Sequence, residues 1–260
     1  METDIFLKSV LADGGLYGLL ALRSSDNGRI QKFYPTVGHL IDGAVAFDEK
    51  GYDSYFGLAT YDKDGSRKAD NVKELKSFFL DLDCGPSKDY ANQGDAITAL
   101  RRFCKELKLP KPLTINWRLT ESVGAENWVP IDTRLKGLCA KHNLLADVAV
   151  TADVCRVLRV PTTHNHKTDP PTEVTFFGFD APPLVDFDEF AELLGDDPID
   201  IPRRYVPSED NFPSDRENVF ADIITKTKAK KGCAQIENII RYQQDISEPL
   251  WRAGLSIAKY

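Results

Sequence analysis

The stretch SFFLDLDCG, residues 77–85, places Asp81 and Asp83 inside a run that is otherwise Phe and Leu. Residues i and i+2 of a strand share a face. The spacing therefore projects both carboxylates to one side, together with Phe79. Phe78, Leu80 and Leu82 then face the other way, into a core. At that spacing the two Cα atoms lie roughly 7 Å apart. Carboxylates so placed can share one divalent ion or bridge two ions ~3.5–4 Å apart. Without a cation they repel each other, and burying them is costly. Hard oxygen donors suit Mg²⁺ or Mn²⁺. The plainer reading is an edge strand with a solvated acidic face. Cys84-Gly85-Pro86 ends the strand abruptly.

A second cluster lies in LLADVAVTADVCRVLRVPTTHNHK, residues 144–167. Asp147 or Asp153 could supply a third carboxylate. Arg156, Arg159, Thr163, Asn165 and Lys167 follow, and guanidinium forks match phosphate oxygens. The competing reading is a helix cap at Thr151/Asp153 with a surface charge pattern. His164 and His166, flanking Asn165, read as backbone-positioning or surface residues. His39 and His142 fall in helical stretches.

The elements that must carry these residues alternate between strand and helix, a mixed α/β (α+β) class. Strands are expected at 16–22, 29–34, 53–61, 74–83, 112–120, 155–161 and 173–179, and helices at 37–47, 95–109, 127–142 and 186–194. Residues 1–195 form the expected core. The proline-rich, polar stretch 196–218 reads as a linker. Residues 219–260 read as helices, the start of a second, helical domain cut short.

Composition limits the function classes. The chain has 260 residues, with 42% hydrophobic, 28% charged and a net charge of −7. Nucleic-acid-binding domains are usually basic, so any such contact must be local or bridged by metal. No apolar run approaches ~18 residues, which excludes an ordinary membrane span. The N-terminus lacks a basic n-region and a cleavage site, so no secretory signal is expected. Five cysteines without a Cys-x-x-Cys pair read as reduced thiols, and a zinc site is disfavoured. A cytoplasmic protein, in a bacterial cell or a phage-infected host, is expected.

The chain from FFLDLDCG to ADVAVTADVCRVLRVPTTHNHK resembles the catalytic core of archaeo-eukaryotic-type primases. It is most similar to the primase-polymerases of phages and mobile elements. The resemblance covers most of residues 50–180. It implies an RRM-like sheet, followed by the start of a small helical domain. It implies template-dependent DNA primase or polymerase activity, transferring nucleotides from NTP or dNTP to a 3′-hydroxyl with two Mg²⁺ or Mn²⁺ ions. Asp81, Asp83 and Asp147 match the metal-binding acids, with Asp153 the second choice for the third. Arg156, Arg159, Thr163, Asn165 and Lys167 match the nucleotide-binding tail. The implied partners are a DNA template-primer, a nucleotide and a helicase domain beyond residue 260.

Two departures mark this chain. The family's Pro-Gly-Thr is Pro161-Thr162-Thr163, at a turn where glycine would allow positive φ. The central glycine-histidine motif has no counterpart, because KPLTIN runs directly into WRLTESV. Either a loop is missing between Asn116 and Trp117 or the strand runs through; a break would separate their Cα atoms by well over ~3.8 Å. A catalytically impaired replication initiator or nucleotide-binding module is the first alternative function. A metal-dependent nuclease is the second.

Overall fold

Local sequence signals start and stop most of the elements. In the computed structural model, residues 3–147, 153–176, 182–196, 227–229, 236–237 and 241 are described. Helix α1 (Thr3–Val10) precedes a hairpin of β1 (Leu16–Arg23) and β2 (Gly28–Tyr34). The hairpin turns through Asn27 at φ 55°, while Asp26 accepts from the Gly28 amide at 3.0 Å. Asn and Asp tolerate such turns because their side chains bond nearby backbone. Helix α2 (Val37–Asp48) starts on Thr36, whose Oγ1 accepts from the His39 amide. Helix α3 (Gln93–Glu106) starts on Asn92 in the same way, two residues earlier than its apolar period suggests. Both are ordinary N-caps.

The remaining strands are β3 (Asp53–Tyr61), β4 (Val72–Phe79), β5 (Asn116–Val123), β6 (Val157–Arg159), β7 (His164–Asn165) and β8 (Thr172–Glu173). Helices α4 (Ala125–Lys141) and α5 (Phe187–Leu194) complete the set. The fold is α+β. Its main sheet runs β2-β1-β3-β4-β5, each pair antiparallel, and β6 joins it on β3. Strands β7 and β8 form a separate two-stranded ribbon.

Two structural results differ from the sequence reading. Strand β4 ends at Phe79, so Asp81 and Asp83 lie just beyond it rather than within it. Phe79 is also fully buried, like Phe78, rather than sharing an open face with the acids. Helices cover both faces of the C-terminal end of β4, from Ser77 onward. Ser77 Oγ donates to the Val10 carbonyl of α1 at 3.0 Å. Phe78 stacks on Trp128 of α4 and Phe190 of α5, at ring separations of 5.5 and 4.8 Å. A strand covered on both faces reads as a continuous apolar run instead of an alternating one.

Strand β3 divides its edge between two neighbours. Ala59 and Tyr61 pair with β4, while Tyr55–Gly57 pair with β6. The C-terminal half of β4 pairs instead with β5, Ser77 opposite Arg118 and Phe79 opposite Asn116. Strand β6 thus enters where β3 and β4 part, and this brings residue 156 toward the chain that leaves β4.

The chain is continuous between Asn116 and Trp117. These residues occupy consecutive positions of β5, opposite Phe79 and Phe78. A tight turn precedes them, with Leu113 and Asn116 exchanging backbone hydrogen bonds at 2.8 Å and Thr114 at φ 55°.

The chain divides into two compact units, 1–201 and 202–260. In the second, 227–228, 236–237 and 241 are helical, and Arg241 pairs with Glu237 at 3.1 Å. Most of the expected linker, and most of the expected C-terminal helices, fall outside the described residues. Among the described residues no helix is long and apolar enough to cross a membrane.

Candidate active site

Two distant segments that carry three acidic residues meet beyond the end of β4. The Asp81 carbonyl accepts from the Asp147 amide at 2.9 Å, tying residues 144–147 to the exit of the strand. The Asp83 carbonyl accepts from the Tyr90 amide at 3.2 Å, folding the 84–90 loop back on itself. Burial raises the Asp81 carboxyl above its ordinary range; Arg156 pulls it down, and the charges of Asp83 and Asp147 push it up. Asp81 thus feels the charge of both other acids.

Cations hold two of the acids. Arg156 reaches Asp81 Oδ2 at 3.1 Å. Lys88 reaches Asp83 Oδ2 at 2.7 Å. Lys88, on the 84–90 loop, had no sequence signal beyond its charge. Asp153, by contrast, closes a turn: its Oδ1 accepts from the Cys155 amide at 2.9 Å and its carbonyl from the Arg156 amide at 3.0 Å. The structure brings Asp147 to the acidic pair and uses Asp153 to turn the chain.

The basic side of the site follows β6. Arg159 lies opposite Tyr55 in the sheet, with its guanidinium 5.2 Å from the ring centre. Its Nε is 3.8 Å from Asp53 Oδ1, and its Nη2 donates to Asn165 Oδ1 at 3.0 Å. Asn165 Oδ1 also accepts from the Lys167 amide at 3.3 Å. The Nε atoms of Arg156 and Arg159 are buried without a hydrogen-bond partner among the described residues. Orphaned buried donors of this kind call for an explanation, and each side chain as a whole is 29% exposed. Thr163 is different. It is buried, with Oγ1 donating to the Val160 carbonyl at 2.7 Å, so its side chain shapes the turn.

That turn keeps the geometry of a glycine. Thr162 has φ 67°, its amide donates to the Val174 carbonyl at 2.8 Å, and its hydroxyl lies 3.0 Å from that of Thr3. The positive-φ backbone is held by bonds at both ends.

The histidines do more than the sequence reading gave them. Both rings reach Asp48, His164 through Nδ1 and His166 through Nε2, each at 2.8 Å. Asp48 and Asp53 carried no motif. Their signals were weak: an acid ending a helix and an acid opening an apolar strand.

The donor set of the acidic corner, three carboxylates, is the chemistry that Mg²⁺ or Mn²⁺ takes. Among the described residues no three His, Cys, Asp or Glu side chains converge as a ready-made metal cage. An ion would have to win oxygens from Arg156 and Lys88.

No protein-family profile matches the chain, and no curated protein is significantly similar to it. Solved structures do match. The primase-polymerase (PrimPol) AEP domain of cyanophage S-2L aligns with a TM-score of 0.51 at 16% identity, over 69% of this chain and 89% of that one. The chain has the fold of a primase-polymerase core. The primase RepB′ aligns at a TM-score of 0.48 and 10% identity, over 74% of this chain and 60% of that one. The catalytic domain of RepB′ in complex with initiator DNA gives 0.48 and 12%, over 74% and 90%.

Proposed function

We propose that this chain is a template-dependent DNA primase or polymerase that transfers nucleotides from NTP or dNTP to a 3′-hydroxyl. The observation that carries this reading is the contact between Asp81 and Arg156, 75 positions apart in sequence. It joins an acidic corner suited to divalent metal to a basic strip suited to a triphosphate. The primase-polymerase fold supports the same reading. Asp81, Asp83 and Asp147 would hold Mg²⁺ or Mn²⁺. When bound, such ions lower the pKa of the attacking hydroxyl and stabilise the leaving pyrophosphate.

The chain's own residues then divide the work. Arg156 and Arg159, each 29% exposed, offer guanidinium donors to phosphate oxygens. Asn165 orients the Arg159 fork. Lys167, one residue beyond His166, adds positive charge to the same strip. The DNA surface must be local, given the net charge of −7. A helicase domain following residue 260 fits the same reading.

A second reading has one specific observation behind it. The short turn before β5 leaves no glycine-histidine loop, which suits a module that binds nucleotide without catalysis. Primer extension separates the readings. With a primed template, dNTPs and Mn²⁺, the wild type is expected to extend the primer, and Asp81→Ala/Asp83→Ala to lose at least a hundredfold in rate. Nucleotide binding without extension would favour the binding module, and loss of the template would favour a nuclease. Undiminished extension by the double variant would refute the assignment of these acids.

A further inference from the structure

Asp48 is the last residue of α2, where the helix dipole disfavours negative charge. Its side chain is only 12% exposed. A carboxylate in that position needs donors, and it has three. His164 gives both its backbone amide and Nδ1, and His166 gives Nε2, all at 2.8 Å. Asp53, at the start of β3, accepts from the His166 amide at 2.9 Å. Two acids from the main sheet and its helix thus fix three consecutive residues, 164–166, which belong to neither.

His164 and His166 both reach Asp48, with their rings 6.1 Å apart. Asn165 lies between them in the chain, and its Oδ1 accepts from Arg159 at 3.0 Å. Holding both histidines therefore fixes the direction of Asn165. Asn165 in turn holds one arm of a guanidinium whose Nε lies 3.8 Å from Asp53 Oδ1 and makes no hydrogen bond among the described residues.

We propose that Asp48 is a positioning residue for nucleotide binding, acting through the His164/His166 clamp on Asn165 and hence on Arg159. This rests on the assignment of the basic strip to the triphosphate. Asp48 touches no substrate. It sets the angle at which the Arg159 fork meets phosphate oxygens, and a bidentate contact is sensitive to that angle.

A double-mutant cycle tests it. The dissociation constant of ATP and of dATP with Mn²⁺ is measured by calorimetry for the wild type, Asp48→Ala, Asn165→Ala and the double variant. Each single change is expected to weaken binding about tenfold, and the double variant to bind no worse than Asn165→Ala alone. Losses that multiply to about a hundredfold, or an Asp48→Ala protein that binds like the wild type, would overturn the proposal. Asp48→Asn keeps the shape and one acceptor oxygen, and is expected to lose threefold to fivefold. Circular dichroism melting accompanies each variant. If Asp48→Ala and Asp48→Asn both lose their cooperative transition, Asp48 is a structural residue and the proposal fails. A wild type that binds neither nucleotide would instead refute the triphosphate assignment, and this inference with it.

Discussion

At the scale of single residues, the charges of this molecule are arranged in alternating contacts. Asp81 meets Arg156, Arg159 lies between Asp53 and Asn165, and His164 and His166 share Asp48. The clamp gives a pH signature. Burial opposes the charge on Asp48, but the donors from His164 and His166 outweigh it and hold the carboxyl below its ordinary range. A depressed carboxyl contributes stability above its unfolded value, near 3.8, and loses it as the pH falls through the folded value. The His164 ring is raised above 6.5 by its bond to Asp48, with a smaller push from Glu173 across the ribbon. A raised imidazole contributes stability below about 6.5, lost as the pH rises through its folded value. The difference in melting temperature between wild type and Asp48→Ala should therefore be widest from about pH 4 to 6.5 and narrow on both sides. Asp53 and Arg159 also face this segment, through the His166 amide and the Asn165 side chain. A difference that stays flat from pH 3 to 8 would show that the clamp carries no charge-dependent stability. The sequence offered the histidines as flanking residues only, because an acid at a helix end pairs with nothing visible along the chain.

At the scale of elements, periodicity and caps made most of the fold legible. Strands β1, β2 and β3 and helix α2 fall within about a residue of where alternation and turn residues put them. The acidic motif was read as lying in a strand, yet hydrogen bonding hands over at Phe79. Beyond that point the Asp81 and Asp83 carbonyls are taken by Asp147 and Tyr90, partners that no local pattern reveals. Strand β7 was missed because two residues carry no period. The 160–163 turn gives an element-scale test. A β-branched residue at positive φ costs ~1–2 kcal/mol against glycine. Its hydroxyl contact with Thr3 recovers part of that. Thr162→Gly is therefore expected to stabilise the core by about 0.5–1 kcal/mol, read as a raised urea midpoint at constant m-value. A lowered midpoint would mean that the hydroxyl contact outweighs the strain.

At the scale of the whole molecule, topology turns separate motifs into one site. Strand β4 leaves β3 for β5, and β6 fills the gap beside β3. Asp81 and Arg156 meet because of that exchange. The order of the motifs along the chain suggested the primase-polymerase core, and the fold agrees with it. The meeting of acids and arginines needed the sheet, since it depends on which half of β3 each neighbour takes. The direct run through Asn116–Trp117 also belongs to this scale, as it keeps β5 continuous opposite Phe79 and Phe78.

The central claim is that Asp81, Asp83 and Asp147 hold the metal while Arg156 and Arg159 hold the triphosphate. A crystal of the full chain grown with Mn²⁺ and a non-hydrolysable nucleoside triphosphate tests it most directly. The account predicts anomalous manganese density within coordination distance of Asp81 and Asp83, with Lys88 displaced and the phosphates on Arg156 and Arg159. Manganese and nucleotide both bound elsewhere, with the Asp83–Lys88 and Asp81–Arg156 contacts intact, would contradict it.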